Sequence, residues 1–105
     1  KIGEGFKDYR DPAFLPVRLS LASAIVRVGR DKSGKVDAKT IETIRPLLNE
    51  GLTSKDPVHR HDAVQVIDDL GPQAVEFLDE VKAMMKIDNT YAARIGEWIV
   101  ASRGK

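Results

Sequence analysis

His59 and His61, on either side of Arg60, are the two histidines of the 105-residue chain, and imidazole is the side chain best suited to acid–base or metal work near neutral pH. Two residues apart on a helix they project about 200° from each other, so they cannot share one ion, and solvated or capping roles are the reading adopted. The adjacent carboxylates Asp68-Asp69 and Asp79-Glu80 diverge by about 100° in the same way, with no nucleophile or base beside them. The run from Asp31 to Asp37 imitates the middle of an EF-hand loop if Gly34 is aligned with that motif's glycine. The first and twelfth ligand positions then fall on Gly29 and Thr40, so the bidentate glutamate is missing and a plain interhelical turn is expected. The chain has no cysteine, hence no thiolate chemistry and no disulfide. No catalytic residue, cofactor site or metal site is assigned.

Partner recognition is scarcely better marked. Seventeen basic and sixteen acidic residues give a net charge of +1, so no long-range field favours nucleic acid or an anionic membrane. The one basic cluster, Arg27, Arg30, Lys32, Lys35 and Lys39, is diluted by Asp31 and Asp37 and has no interleaved aromatics to stack bases. It reads as a solubilising loop. Tyr91 and Trp98, seven residues apart, share a helix face; packing against the core or the chain end is favoured over a sugar platform. With Leu19 and Leu21 they are also the candidate interaction surface. The expected partner is protein, either a second copy or further parent chain, without nucleic acid or membrane.

The elements that must position these residues are helical. Asp56 is an N-cap, Pro57 suits the first helical position, and Gly71 closes a helix whose stripe is Ala63, Val66, Ile67 and Leu70. Residues 1–11 read as an irregular lead-in whose Phe6 and Tyr9 can still pack, together with Phe14. Helices are expected near 13–29, 38–53, 57–70, 72–86 and 89–102. The first carries two stripes, Leu15, Leu19, Ala22, Val26 and Leu21, Ile25, Val28, and so expects cover on two sides. The second, capped by Asp37, shows Ile41, Ile44, Leu48 and Leu52, with Pro46 bending it. The fourth presents Ala74, Val75, Leu78, Val81 and Met85, with Phe77 and Met84 flanking. The fifth presents Tyr91, Ile95, Trp98 and Ser102, widened by Ala92 and Ile99. No period-two run of β-branched residues occurs, so the fold class is all-α in a single domain. The opening Lys1-Ile2, without Met, suggests a segment of a longer protein.

Sliding the chain on itself sets Arg18–Gly29 over Arg60–Gly71, with Arg18 on Arg60, Ile25 on Ile67 and Gly29 on Gly71; Ala63, Val66 and Gly71 likewise fall on Gly96, Ile99 and Gly104. Helix-pair repeats of this kind predict an α-solenoid of stacked antiparallel pairs. The bent second helix (Pro46), the D-P-x-x-R opening (Asp56, Pro57, Arg60) and the L-G close (Leu70, Gly71) resemble HEAT repeats. The resemblance implies a ladder of hydrogen bonds between neighbouring repeats at Asp56 and Arg60, with Arg18, Asp88 and Arg94 at matching positions. Arg60 is accordingly expected to bond Asp56 or a neighbouring repeat's backbone. The close formed by Asn89, Tyr91, Arg94, Glu97 and Trp98, after Leu70-Gly71, is similar to the HEAT-like tail at the C-terminus of some bacterial sulfatases. That resemblance implies a non-catalytic scaffold or interaction segment of a sulfatase-like hydrolase, periplasmic or extracellular. The sulfatase C/S-x-P-x-R signature is not in this sequence. A free-standing HEAT adaptor is the alternative, and a HEAT-fold nucleic-acid binder the least favoured.

Overall fold

A computed structural model of the chain describes residues 14–30, 32 and 34–103. They form five α-helices, α1 (Leu15–Gly29), α2 (Ala38–Leu52), α3 (Pro57–Asp69), α4 (Leu78–Ile87) and α5 (Tyr91–Arg103), with a 3₁₀ segment, Gly71–Phe77, between α3 and α4. The fold is all-α. Phe6 and Tyr9 of the expected lead-in lie outside the described residues.

Local chemistry sets several helix ends. Asp37 accepts the Thr40 N–H at 2.8 Å and caps α2; this hydrogen bond, above all, holds its carboxyl below the ordinary value. Asp56 accepts the Val58 N–H at 2.9 Å and caps α3. α2 runs on through Pro46. Gly71, at φ +64°, turns the chain out of α3 through a left-handed conformation that costs glycine little.

α3 is the centre. It packs against α1 and α2 on one side and α5 and the 3₁₀ segment on the other, while α1 meets α2 and α4 meets α5. Having neighbours on both sides, α3 buries Val64 as well as Ala63, Val66 and Ile67. α1 buries one expected stripe, Leu15, Leu19, Ala22 and Val26, and α2 buries Ile41, Ile44, Leu48 and Leu52. The second stripe of α1 is exposed instead, Leu21 at 48% and Val28 at 86%.

Two expected faces are rotated. From the 3₁₀ segment into α4 the core takes Ala74, Phe77, Val81 and Met84, while Val75 is half exposed. Three residues per turn over Gly71–Phe77 rotate the face away from the one a continuous α-helix over 72–86 would show. Gln73 fixes that segment: its Nε2–H donates to the Val36 carbonyl at 2.6 Å and its Oε1 accepts the Val36 N–H at 2.7 Å. On α5 the core takes Ala92, Gly96 and Ile99, leaving Tyr91 and Trp98 outside. α4 and α5 cross too closely for large side chains, since a Cβ on Gly96 would lie 2.8 Å from Met85 Cγ and 3.2 Å from Val81 Cγ1.

Gly51 marks a second close approach. A Cβ there would stand 2.7 Å from Ala63 Cβ and 3.3 Å from both Leu19 Cδ1 and the His59 carbonyl oxygen. Alanine gains about 1 kcal/mol of helix propensity at either glycine. At Gly96 the flexible Met85 can yield; at Gly51 the obstacle is rigid backbone and a β-carbon. Gly51→Ala is expected to lose about 1–3 kcal/mol net and Gly96→Ala to stay within about 1 kcal/mol of the parent, by urea denaturation.

Candidate functional site

The best-built polar centre is Arg60 with Asp88. The D-P-x-x-R spacing puts Arg60 one turn into α3, where its side chain is 8% exposed. Its Nε–H donates to Asp88 Oδ2 at 2.6 Å and its Nη1–H to the Ser54 carbonyl at 2.7 Å. The expected partner, Asp56, is not used: its carboxylate caps α3 and stands 3.8 Å from His59 Nε2. Asp88, whose side chain is wholly buried, follows α4 and receives three more hydrogen bonds at Oδ1. These come from the Thr90 N–H and hydroxyl, both 2.7 Å, and the Ala93 N–H, 3.1 Å. Burial alone would push this carboxyl up, but the bonds from Arg60, Thr90 and Ala93 outweigh it and lower it from 3.8 to about 2.

The other ladder positions are not joined in this way. Arg18 donates to both oxygens of Glu50, at 3.1 and 2.9 Å, rather than to Asp56. Arg94 is exposed and has no hydrogen bond or ion pair among the described residues.

The histidines face different neighbours. His61 lies 3.4 Å from Asp62 and has its ring 6.0 Å from that of Tyr91. His59 Nδ1 is 2.8 Å from Ser54 Oγ, which makes Ser54, His59 and Asp56 a serine–histidine–aspartate set that the sequence spacing did not suggest. The set closes a turn: Ser54 Oγ accepts the Asp56 N–H at 3.1 Å, and the Asp56 carboxylate accepts the Val58 N–H. Asp69 stands 4.0 Å from Arg27 whereas Asp68 faces α5, and Glu80 lies 3.6 Å from Arg45, which sits over the Phe77 ring. Gly34 turns the loop at φ +85°, and Arg30 bridges to Val36 across it; Asp31 and Ser33 lie outside the described residues. Among the described residues no group of three or more His, Cys, Asp or Glu side chains is placed to hold a metal, and no helix is long and apolar enough to cross a membrane.

Asn49, Leu52, Thr53, Ala83, Met84 and Ile87 line an apolar groove of about 400 Å³ between α2 and α4, and further accessible features lie along α1, α3 and α5. Gln65, Asp68, Tyr91, Arg94, Ile95 and Trp98 line a groove between α3 and α5 of about 390 Å³. A smaller one between α1 and α3, lined by Ser23, Arg27, Asp62 and Asp69, shares Gln65 with it. Tyr91 and Trp98 are 67% and 61% exposed, against the expectation that they pack into the core or the chain end. Of the interaction-surface candidates Leu19 drops out, being 1% exposed and in contact range of Gly51, while Leu21 lies on the outer face of α1. Comparison with family models, with curated proteins and with solved structures finds no match to the chain.

Breaking a buried charged pair by removing one partner costs about 3–5 kcal/mol. Arg60→Ala is expected to lose that much, with a fall in Tm of at least about 10 °C. Asp88 also gives a pH signature. A carboxyl whose folded pKa is depressed adds stability that is complete above about pH 4 and is lost as pH falls through about 2. Acid titration followed by circular dichroism should show that loss in the parent, and Asp88→Asn should lack this component.

Proposed function

We propose that the chain is a non-catalytic helical-repeat scaffold of HEAT type, a short α-solenoid acting as the C-terminal part of a larger bacterial sulfatase-like hydrolase, where it holds another protein surface. Two features support the repeat reading. α3 lies between α1 and α5 as a repeat's second helix lies between its counterparts, and the buried Arg60–Asp88 pair joins α3 to the turn before α5, as a HEAT ladder joins neighbours.

The observation that carries the interaction role is the exposed face of α5. Tyr91, Arg94 and Trp98 are the three residue types most enriched at binding hot spots, they sit at three- and four-residue spacing, and they border one groove. Ser54, His59 and Asp56 are engaged in a turn and a helix cap and Glu80 faces Arg45, which supports a role without turnover. Continuity of the two grooves through Gln65 favours a second reading, a free-standing adaptor that lays an extended partner across α1, α3 and α5. Asp62, Asp68 and Asp69 along that path disfavour a nucleic-acid backbone.

The genomic sequence upstream of Lys1 separates the two readings: a C/S-x-P-x-R motif is expected for the hydrolase and its absence selects the adaptor. Given the motif, titrating this chain into the separately expressed catalytic domain should show binding that Trp98→Ala and Arg94→Ala each weaken tenfold or more. Equal affinity of the variants would move the interface elsewhere. The chain alone should not hydrolyse aryl sulfates; turnover abolished by a substitution within it would overturn the non-catalytic reading.

A further inference from the structure

The outer face of α1 has a pattern of its own. Phe14, Val17, Leu21, Ala24 and Val28 recur at alternating spacings of three and four, with Ile25 beside them, and all six are exposed. That alternation, over about two heptads, has the spacing of a narrow seam along which two helices can pack. Leu21, Ala24, Ile25, Val28 and Gly29 surround an almost wholly apolar depression of about 400 Å³.

We propose that this seam docks a second copy of the same chain, with α1 antiparallel to its counterpart about a two-fold axis passing between Ala22 and Ser23. In that register Leu21 of each copy faces Ala24 of the other, so a large side chain enters the hollow left by a small one, and Val17 faces Val28. The interface is isologous and closes on itself as a dimer. Its charges are compatible. Arg18 and Arg27, which border the seam, are directed to carboxylates of their own chain, Arg18 to Glu50 at 2.9 Å and Arg27 to Asp69 at 4.0 Å. No acidic residue from Leu15 to Gly29 is left to be desolvated. Side chains exposed by 40–86% along the seam place the buried area on the order of 1,000 Å² in total, at the lower end of specific interfaces, so the dimer is reversible. The inference is independent of the repeat reading, because it uses only α1.

The absence of native cysteine makes the register directly testable. In the proposed dimer, residues 21 and 21, or 24 and 24, are offset by only about 4.5 Å along the helix axes, whereas 17 and 17, or 28 and 28, are offset by about 16 Å. With a thiol crosslinker of about 8 Å reach, Leu21→Cys and Ala24→Cys should each give crosslinked dimer in high yield, and Val17→Cys and Val28→Cys little. Sedimentation equilibrium between about 10 μM and about 1 mM should show a monomer–dimer equilibrium, shifted to monomer tenfold or more by Leu21→Lys with unchanged helical circular dichroism. A parent chain that stays monomeric throughout, or crosslinking equal at all four positions, would overturn the proposal; the first outcome would mean that other chain covers the seam, and the second that the helices are not antiparallel.

Discussion

Two opposite charges taken out of water are tolerable only if hydrogen bonds within the protein replace those lost to solvent, and the buried pair Arg60–Asp88 draws its bonds from three separate parts of the chain. Asp88 accepts four bonds, from α3, from Thr90 and from the first turn of α5; Arg60 gives a second bond to the turn between α2 and α3. Each bond fixes a position. A slip of α3 against α5 by one residue would leave a carboxylate and a guanidinium unpaired in the interior, a penalty far larger than the apolar contacts distinguish between neighbouring registers. The pair therefore acts less as net stabilisation than as a registry pin. Arg18–Glu50 is bidentate, unlike Arg60–Asp88, but with Glu50 42% exposed it lies near solvent and has little comparable leverage.

What could be read from the sequence follows the range of the interaction involved. The caps Asp37 and Asp56, the glycine turn at Gly71 and the buried stripes of α1, α2 and α3 depend on residues within a turn or two, and they stand where spacing put them. The faces of the 3₁₀ segment, α4 and α5 depend on partners far along the chain. Gln73 finds Val36, and Gly96 finds Met85 and Val81, and nothing in local periodicity encodes how closely two helices cross. Gly96 was the available signal: a glycine inside an amphipathic helix, aligned with Ala63, marks a close approach and so excludes Tyr91 and Trp98 from the core. Arg60 is recognisable as structural and Asp88, 28 residues away, as a position matching the ladder, but their pairing is not, because Asp56 offers a nearer carboxylate that is already committed to an N-cap.

Several of the side chains whose types suit reactions are engaged by the fold. Ser54, His59 and Asp56 close a turn, Asp88 pins a junction, and Glu80 meets Arg45. Among the exposed faces, those of two helices on either side of α3 differ in chemistry. α3 has neighbours on both flanks and buries Ala63, Val64, Val66 and Ile67. α1 and α5 each lack one, and the sequence treats their free surfaces differently. α5 presents Tyr91, Arg94 and Trp98, amphipathic groups that tolerate water while unbound, which suits a partner that comes and goes. α1 presents Val17, Leu21, Ile25 and Val28, aliphatic side chains with no polar atom to hydrate, so its outer face gains from cover whenever cover is within reach. The free face of α5 can thus stay hydrated, whereas that of α1 leaves aliphatic surface in water.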